Sequence, residues 1–356
     1  MQLFYDLFVK FGLNLSQKSI KYYIKFKWSN VMRKILLVFA IASSLSMACA
    51  EQTNLEAEKL QSECYKSDNK KAGVSCSNLG LLYYNGKGVE QNYKKAIELY
   101  SRACNLKIGA GCSNLGLMYT GGKGVEQDYQ KAIELYVKAC NMKIGGACHN
   151  LAVMYADGSG VKQDHKVAFE LYTKACDLNE GAGCFNLANF YLYGEIVKQN
   201  SQKTSELYFK ACRLGVGWGC YNLGRLYDNG DGVTQDNKKA SEVYLKACNL
   251  NHAMGCNKLG VMYEKGRGFY KDYKIASELY LKACNLGESE ACSSIRSFYE
   301  YGVEGIVQDK KVAKEYYRKG CDLGNKVGCD LNEKVGCDLG YKVSCDKYKN
   351  WITKNK

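Results

Sequence analysis

Between Ile108 and Lys143, apolar positions fall into two helical blocks separated by a glycine-rich stretch. In the first block Cys112, Leu115, Met118 and Tyr119 share one face at helical spacing, as an amphipathic helix requires. The turn "TGGKGVEQD" follows, and its Asp128 stands where an N-cap would start the next helix. There Tyr129, Ala132, Ile133, Tyr136, Ala139 and Cys140 follow the same rule. Gly109 and Gly111, just ahead of the first block, predict a chain break at that point. Each copy thus reads as a helix hairpin.

The copy recurs. One cysteine of each pair falls at 76, 112, 148, 184, 220, 256 and 292, an interval of 36. The other falls at 104, 140, 176, 212, 248 and 284, then at 321 after a one-residue insertion. A period in this range, with one supersecondary unit per copy, marks a solenoid. The predicted fold is all-α, a right-handed α/α solenoid. Residues 51–71 form an N-terminal capping half-repeat, 72–324 seven repeats, and 325–356 a C-terminal cap with a tandem cysteine motif.

Two cysteines eight positions apart on one continuous helix would have Cα atoms about 12 Å apart. A disulfide needs roughly 4.4–6.8 Å. The chain must therefore reverse between them, and each bridge then ties one repeat to the next. The expected bridges are Cys64–Cys76, Cys104–Cys112, Cys140–Cys148, Cys176–Cys184, Cys212–Cys220, Cys248–Cys256 and Cys284–Cys292. In the cap, Cys321–Cys329 and Cys337–Cys345 keep the spacing, although four cysteines allow three connectivities.

Oxidised cysteines need an exported chain. "MRKILLVFAIASSLSMACA", from Met32 to Ala50, has the layout of a secretory signal peptide. Residues 1–31 then read as an over-extended reading frame, and the mature protein as secreted or periplasmic with no transmembrane span. A rival reading makes Cys49 a lipidated cysteine, but Ser46 occupies a position where an aliphatic residue is usual. Removing Cys49 leaves eighteen of the 19 cysteines, an even number. No C-x-x-C occurs, and the 3 histidines are scattered, so no metal or other cofactor is expected. The net charge is +14, without a concentrated basic block, which argues against nucleic acid as a partner.

The line "NLGLMYTGGKGVEQDYQKAIELYVKAC" resembles the Sel1-like repeat, a relative of the tetratricopeptide hairpin. The matching positions are Leu115, Gly116, Tyr119, Gly124, Val125, Asp128, Ala132, Tyr136 and Ala139. With its added cysteines the chain is similar to the secreted Helicobacter cysteine-rich protein family. That resemblance implies β-lactam binding or slow β-lactamase activity, with a β-lactam or peptidoglycan-like peptide as ligand. The residues give it little support. Serine enzymes of this kind use S-x-x-K, S-D-N and K-T-G as separate elements. Here "SDNK", Ser67–Lys70, would have to serve as the first two at once, and K-T-G is missing.

A groove offers an alternative. In tetratricopeptide-like solenoids the first helices line the concave side. Two positions after each first-helix cysteine stand Asn78, Asn114, Asn150, Asn186 and Asn222, replaced later by Lys258 and Ser294. Amides donate and accept, which suits the backbone of an extended peptide. Two flanking positions, read as outward-facing, vary between repeats and include His149, Phe185, Tyr221 and Arg225. The expected function is a binding scaffold for a peptide, a cell-envelope protein or a host protein. Removing groove amides should then weaken binding without lowering stability. The periodic tyrosines, such as Tyr119 and Tyr136, read as core.

Overall fold

A computed structural model describes residues 52–324 and Thr353. Residues 32–50, expected to be a signal peptide, and the expected partners Cys329, Cys337 and Cys345 lie outside the described residues. The chain divides into two compact units, Met1–Leu106 and Lys107–Lys356. In the first, helical residues 52–66 precede a hairpin of helices Lys70–Asn85 and Tyr93–Asn105.

The second unit stacks six more hairpins. Their first helices are Gly109–Gly121, Gly145–Asp157, Gly181–Tyr193, Gly217–Asn229, Ala253–Lys265 and Ser289–Tyr301. Their second helices are Tyr129–Asn141, His165–Asp177, Ser201–Arg213, Asn237–Asn249, Tyr273–Asn285 and Lys310–Asp322. No β-strand occurs among the described residues, where Val303 and Ile306 form an isolated bridge inside the enlarged turn of repeat seven.

The turn of each hairpin is built by side chains that satisfy helix ends. The first helix of repeat two ends at Gly122 in the left-handed region, φ 61°. Gln127 then donates from Nε2 to the Thr120 carbonyl at 2.7 Å. Asp128 caps the second helix as expected, accepting from the Lys131 amide at 2.9 Å, a contact of about 1 kcal/mol. At Gly160 and Gly232 the later glycine of the turn permits close approach between repeats, whereas repeat four has Ile196 there. A Cβ at Gly232 would lie 1.9 Å from the Cβ of Ser201, at the start of the preceding second helix.

Chain reversal falls within residues 105–111 and their equivalents, as expected, but not at the glycines. Gly109 and Gly111 lie inside the first helix, not in a break before it. The turn is made by Lys107, Lys143, Asn179 and Asn251, all with φ near +60°, and by glycines at the equivalent places. Gly109 has a packing role instead, since its Cβ would stand 2.6 Å from Ile144.

Six of the expected bridges are formed, with Cα–Cα distances of 4.5–4.8 Å. Cys104, Cys112 and Cys321 are disulfide-bonded too, so every described cysteine is oxidised. Closing a loop this short stabilises the fold by about 2.5 kcal/mol in the chain-entropy account. Tyr100, Tyr136, Tyr172, Tyr208, Tyr244, Tyr280 and Tyr317 are buried, one on each second helix.

Candidate binding groove

On each first helix the positions at i, i+4, i+7 and i+11 are the open ones, exposed or half-buried. Val74, Asn78, Leu81 and Asn85 are exposed in repeat one. In repeat five, Trp218, Arg225 and Asn229 are exposed and Asn222 is half-buried. Asn114, Asn150 and Asn186 are likewise half-buried. The candidate amides therefore sit on the open face of their helices with one side turned inward.

What they touch inward was not anticipated. Three of the amides donate to the tyrosine hydroxyl of the preceding repeat: Asn150 to Tyr136, Asn186 to Tyr172 and Asn222 to Tyr208. Burial pushes Tyr172 and Tyr208 up to about 12, and these amide bonds oppose the shift. The Asn row is thus part of the core's hydrogen bonding. The expectation that its removal would leave stability untouched is corrected by these contacts.

The residue just before each Asn is turned further in than expected. Tyr221, Ser77, Ser113 and Asn257 are buried, and His149 and Phe185 are half-buried. Their rings pack on the tyrosine of their own repeat: His149 on Tyr172 and Phe185 on Tyr208, both with centroids 5.7 Å apart, and Tyr221 on Tyr244 at 6.0 Å. A first helix has both its own second helix and the preceding hairpin as neighbours. Its buried arc is therefore wider than that of a helix with one neighbour.

His149 links two rungs. Asn186 Nδ2 lies 3.1 Å from His149 Nε2, and His149 Nδ1 lies 3.3 Å from Asn150 Oδ1. An amide nitrogen can only donate. Nε2 therefore accepts, and Nδ1–H donates to Asn150. Burial holds the imidazole below its usual pKa, in keeping with this neutral form.

Repeats five and six differ. Lys258 takes the Asn position, and the buried Tyr244 hydroxyl has no hydrogen-bond partner. Beside it stands an aromatic shelf that the sequence reading missed. Trp218 is 47% exposed and meets His252 edge-on at 4.4 Å, with Tyr221 5.1 Å from the same imidazole. His252 Nδ1 caps its helix by accepting from the Gly255 amide at 3.2 Å. The available cue was variation: the Trp218 position reads Ala110, Gly146, Ala182, Trp218, Met254 and Glu290 along the repeats.

The "SDNK" motif has structural work to do. Asp68 pairs with Arg102 at 2.7 Å, and Asn69 caps helix Lys70–Asn85 through the Ala72 amide at 2.9 Å. Among the described residues no cluster of three His, Cys, Asp or Glu could hold a metal ion.

Comparison with known proteins places this architecture. The Sel1 repeat matches residues 73–107, 109–143, 146–180, 181–216, 219–252, 253–288 and 294–325. The chain belongs to the Sel1 repeat family. Its structure is similar to c5321, a protective antigen of uropathogenic Escherichia coli with an SLR fold, at TM-score 0.64 and 26% identity. That match covers 80% of this chain and 61% of the antigen, so the chain spans about three fifths of that protein's length. A Sel1 repeat protein from Oxalobacter formigenes matches at TM-score 0.57 and 28% identity, over 60% of this chain and 87% of that one. Helicobacter pylori cysteine rich protein B is 43% identical over 38% of this chain and 97% of its own, with a TM-score of 0.31. No curated protein matches.

Sel1 repeats point to protein partners. Complete oxidation of the described cysteines fits an extracytoplasmic protein. No helix among the described residues is long and apolar enough to cross a membrane.

Proposed function

We propose that this is an exported scaffold that binds an extended segment of a peptide, a cell-envelope protein or a host protein along its first helices. The observation that carries the proposal is the shelf of Trp218, His252 and Tyr221, flanked by exposed Arg225, with the half-buried amides of Asn186 and Asn222 at equivalent positions of their first helices. Exposed aromatic and arginine side chains supply most of the energy of protein recognition. Amide oxygens fix an extended backbone by accepting its N–H groups. Secretion or periplasmic residence after signal-peptide removal belongs to the same proposal.

The test uses the oxidised chain and a peptide array, followed by anisotropy titration of the peptides retained. Trp218→Ala with Arg225→Ala should weaken binding at least tenfold and leave the melting temperature within a degree or two, on the order expected for hot-spot residues. Unchanged affinity would sink the assignment. Asn186→Ala is a poor probe, because it also removes a core hydrogen bond. β-Lactam hydrolysis rests on family resemblance alone. A chromogenic cephalosporin should show no turnover, and turnover that Ser67→Ala abolishes would reverse that expectation.

A further inference from the structure

The second helices present a different surface. The six in the unit beginning at Lys107 carry 17 Lys and Arg against 8 Asp and Glu. The six first helices carry 4 against 5. The positive charge of this unit's helices is therefore concentrated on one member of each hairpin.

Apolar side chains stand exposed among these cations in a fixed register. Val137, Phe209, Leu245 and Leu281 occupy the same helical position, each directly followed by Lys138, Lys210, Lys246 or Lys282. At the helix ends Met142, Leu214, Leu250, Leu286 and Leu323 are exposed as well. Adjacent second helices are neighbours. Lys174 donates to Asn141 at 3.3 Å, and Lys282 to the Cys248 carbonyl at 2.8 Å, each reaching the preceding second helix. The apolar tips thus form a row across the stack. Where Thr173 interrupts it, the face opens into a cleft of about 380 Å³. Phe169, Leu187 and Leu207 line the cleft, as do Lys203 and Lys210 with the acids Asp177 and Glu206.

We propose that this face docks on an anionic phospholipid surface. Core packing does not require the tips, which are up to 51% exposed at Phe209. Single apolar tips set between lysines match the boundary of a bilayer. The tips enter the acyl region while the ammonium groups stay at the phosphates. The excess of cations selects anionic headgroups. A nucleic-acid partner would leave the apolar row unused. A partner helix would need one continuous groove, and this face offers separate projections and one cleft.

The experiment is co-sedimentation of the full oxidised chain with phosphatidylcholine vesicles, with and without about 30 mol% phosphatidylglycerol. The expected result is binding at least ~10-fold stronger to the anionic vesicles and several-fold weaker in ~0.5 M salt. Phe209→Ser with Leu245→Ser should lower partitioning at least ~5-fold, with far-UV circular dichroism and melting unchanged. Trp218→Ala should leave it unaltered, which separates this face from the groove. No binding to anionic vesicles, equal binding to neutral ones, or a double variant that binds like the parent would each overturn the proposal.

Discussion

Tyr208 and Tyr244 occupy the same place one repeat apart and meet different surroundings. The Tyr208 hydroxyl donates to Asn189 Oδ1 at 2.6 Å and accepts from Asn222. At Tyr244 the corresponding positions are Arg225 and Lys258, which can only donate. Asp228, the nearby acid, is held by Arg267 at 3.1 Å. The Tyr244 hydroxyl is left buried without a partner. The comparison teaches that the proposed groove and the core are one system here. A position that exchanges an amide for a cation changes what the groove offers, and costs the core a hydrogen bond.

The packing under the two rings differs too, and disturbing it should have the largest effect. Ala188 occupies the first-helix position in repeat four where repeat five has Gly224. A Cβ on Gly224 would lie 2.5 Å from the Tyr244 ring. Gly224→Ala is expected to destabilise by about 1–3 kcal/mol through overpacking, read by urea denaturation. Ala188→Gly should cost no more than about 1 kcal/mol. Equal costs would mean the two rings pack alike.

Removing the hydroxyls comes next. Tyr208→Phe should cost about 1–2 kcal/mol, since it strands two amides, while Tyr244→Phe should be near neutral or slightly stabilising. The same contrast can be approached from the groove. Lys258→Asn gives Tyr244 a donor and an acceptor within reach and should stabilise by about 1 kcal/mol, with Asn222→Lys losing a similar amount. If Lys258→Asn does nothing, the Asn row is not what holds these hydroxyls.

How far these features could be foreseen depends on what periodicity encodes. Cys140 and Cys148 are placed by spacing alone, and Asp128 as a cap by its position before an apolar run, so fold and bridges were legible. Lys143 was not, because a left-handed turn residue need not be glycine and no pattern marks it. The double role of Asn150 was also hidden. A helical wheel separates residues 100° apart into inward and outward, whereas an amide at the edge of the buried arc reaches both sides. Trp218 was missed, because its departure from Ala110, Gly146 and Ala182 at the same position is not a periodic signal. Sequence periodicity reports what repeats share, and a ligand site is built where they differ.

The smallest effect concerns His149, which repeats four and five replace with Phe185 and Tyr221. Its imidazole is held below the usual value, chiefly by burial, with Asn150 and the Glu180 charge opposing. His252 is lowered by burial as well. In the unfolded chain both titrate near their ordinary value of about 6.5. On acidification the unfolded state takes up protons first, so stability present above that value is lost as pH falls toward the folded-state values. A proton on His149 Nε2 would also turn the acceptor used by Asn186 into a donor facing a donor. Melting temperature should therefore fall between about pH 7 and pH 5, before most carboxylates titrate. His149→Phe, borrowing the side chain of the next repeat, should flatten that slope while leaving the His252 part in place. An unchanged slope would show that His149 takes up its proton equally well in the folded chain, and that the Asn150–His149–Asn186 link adds nothing to holding adjacent repeats together.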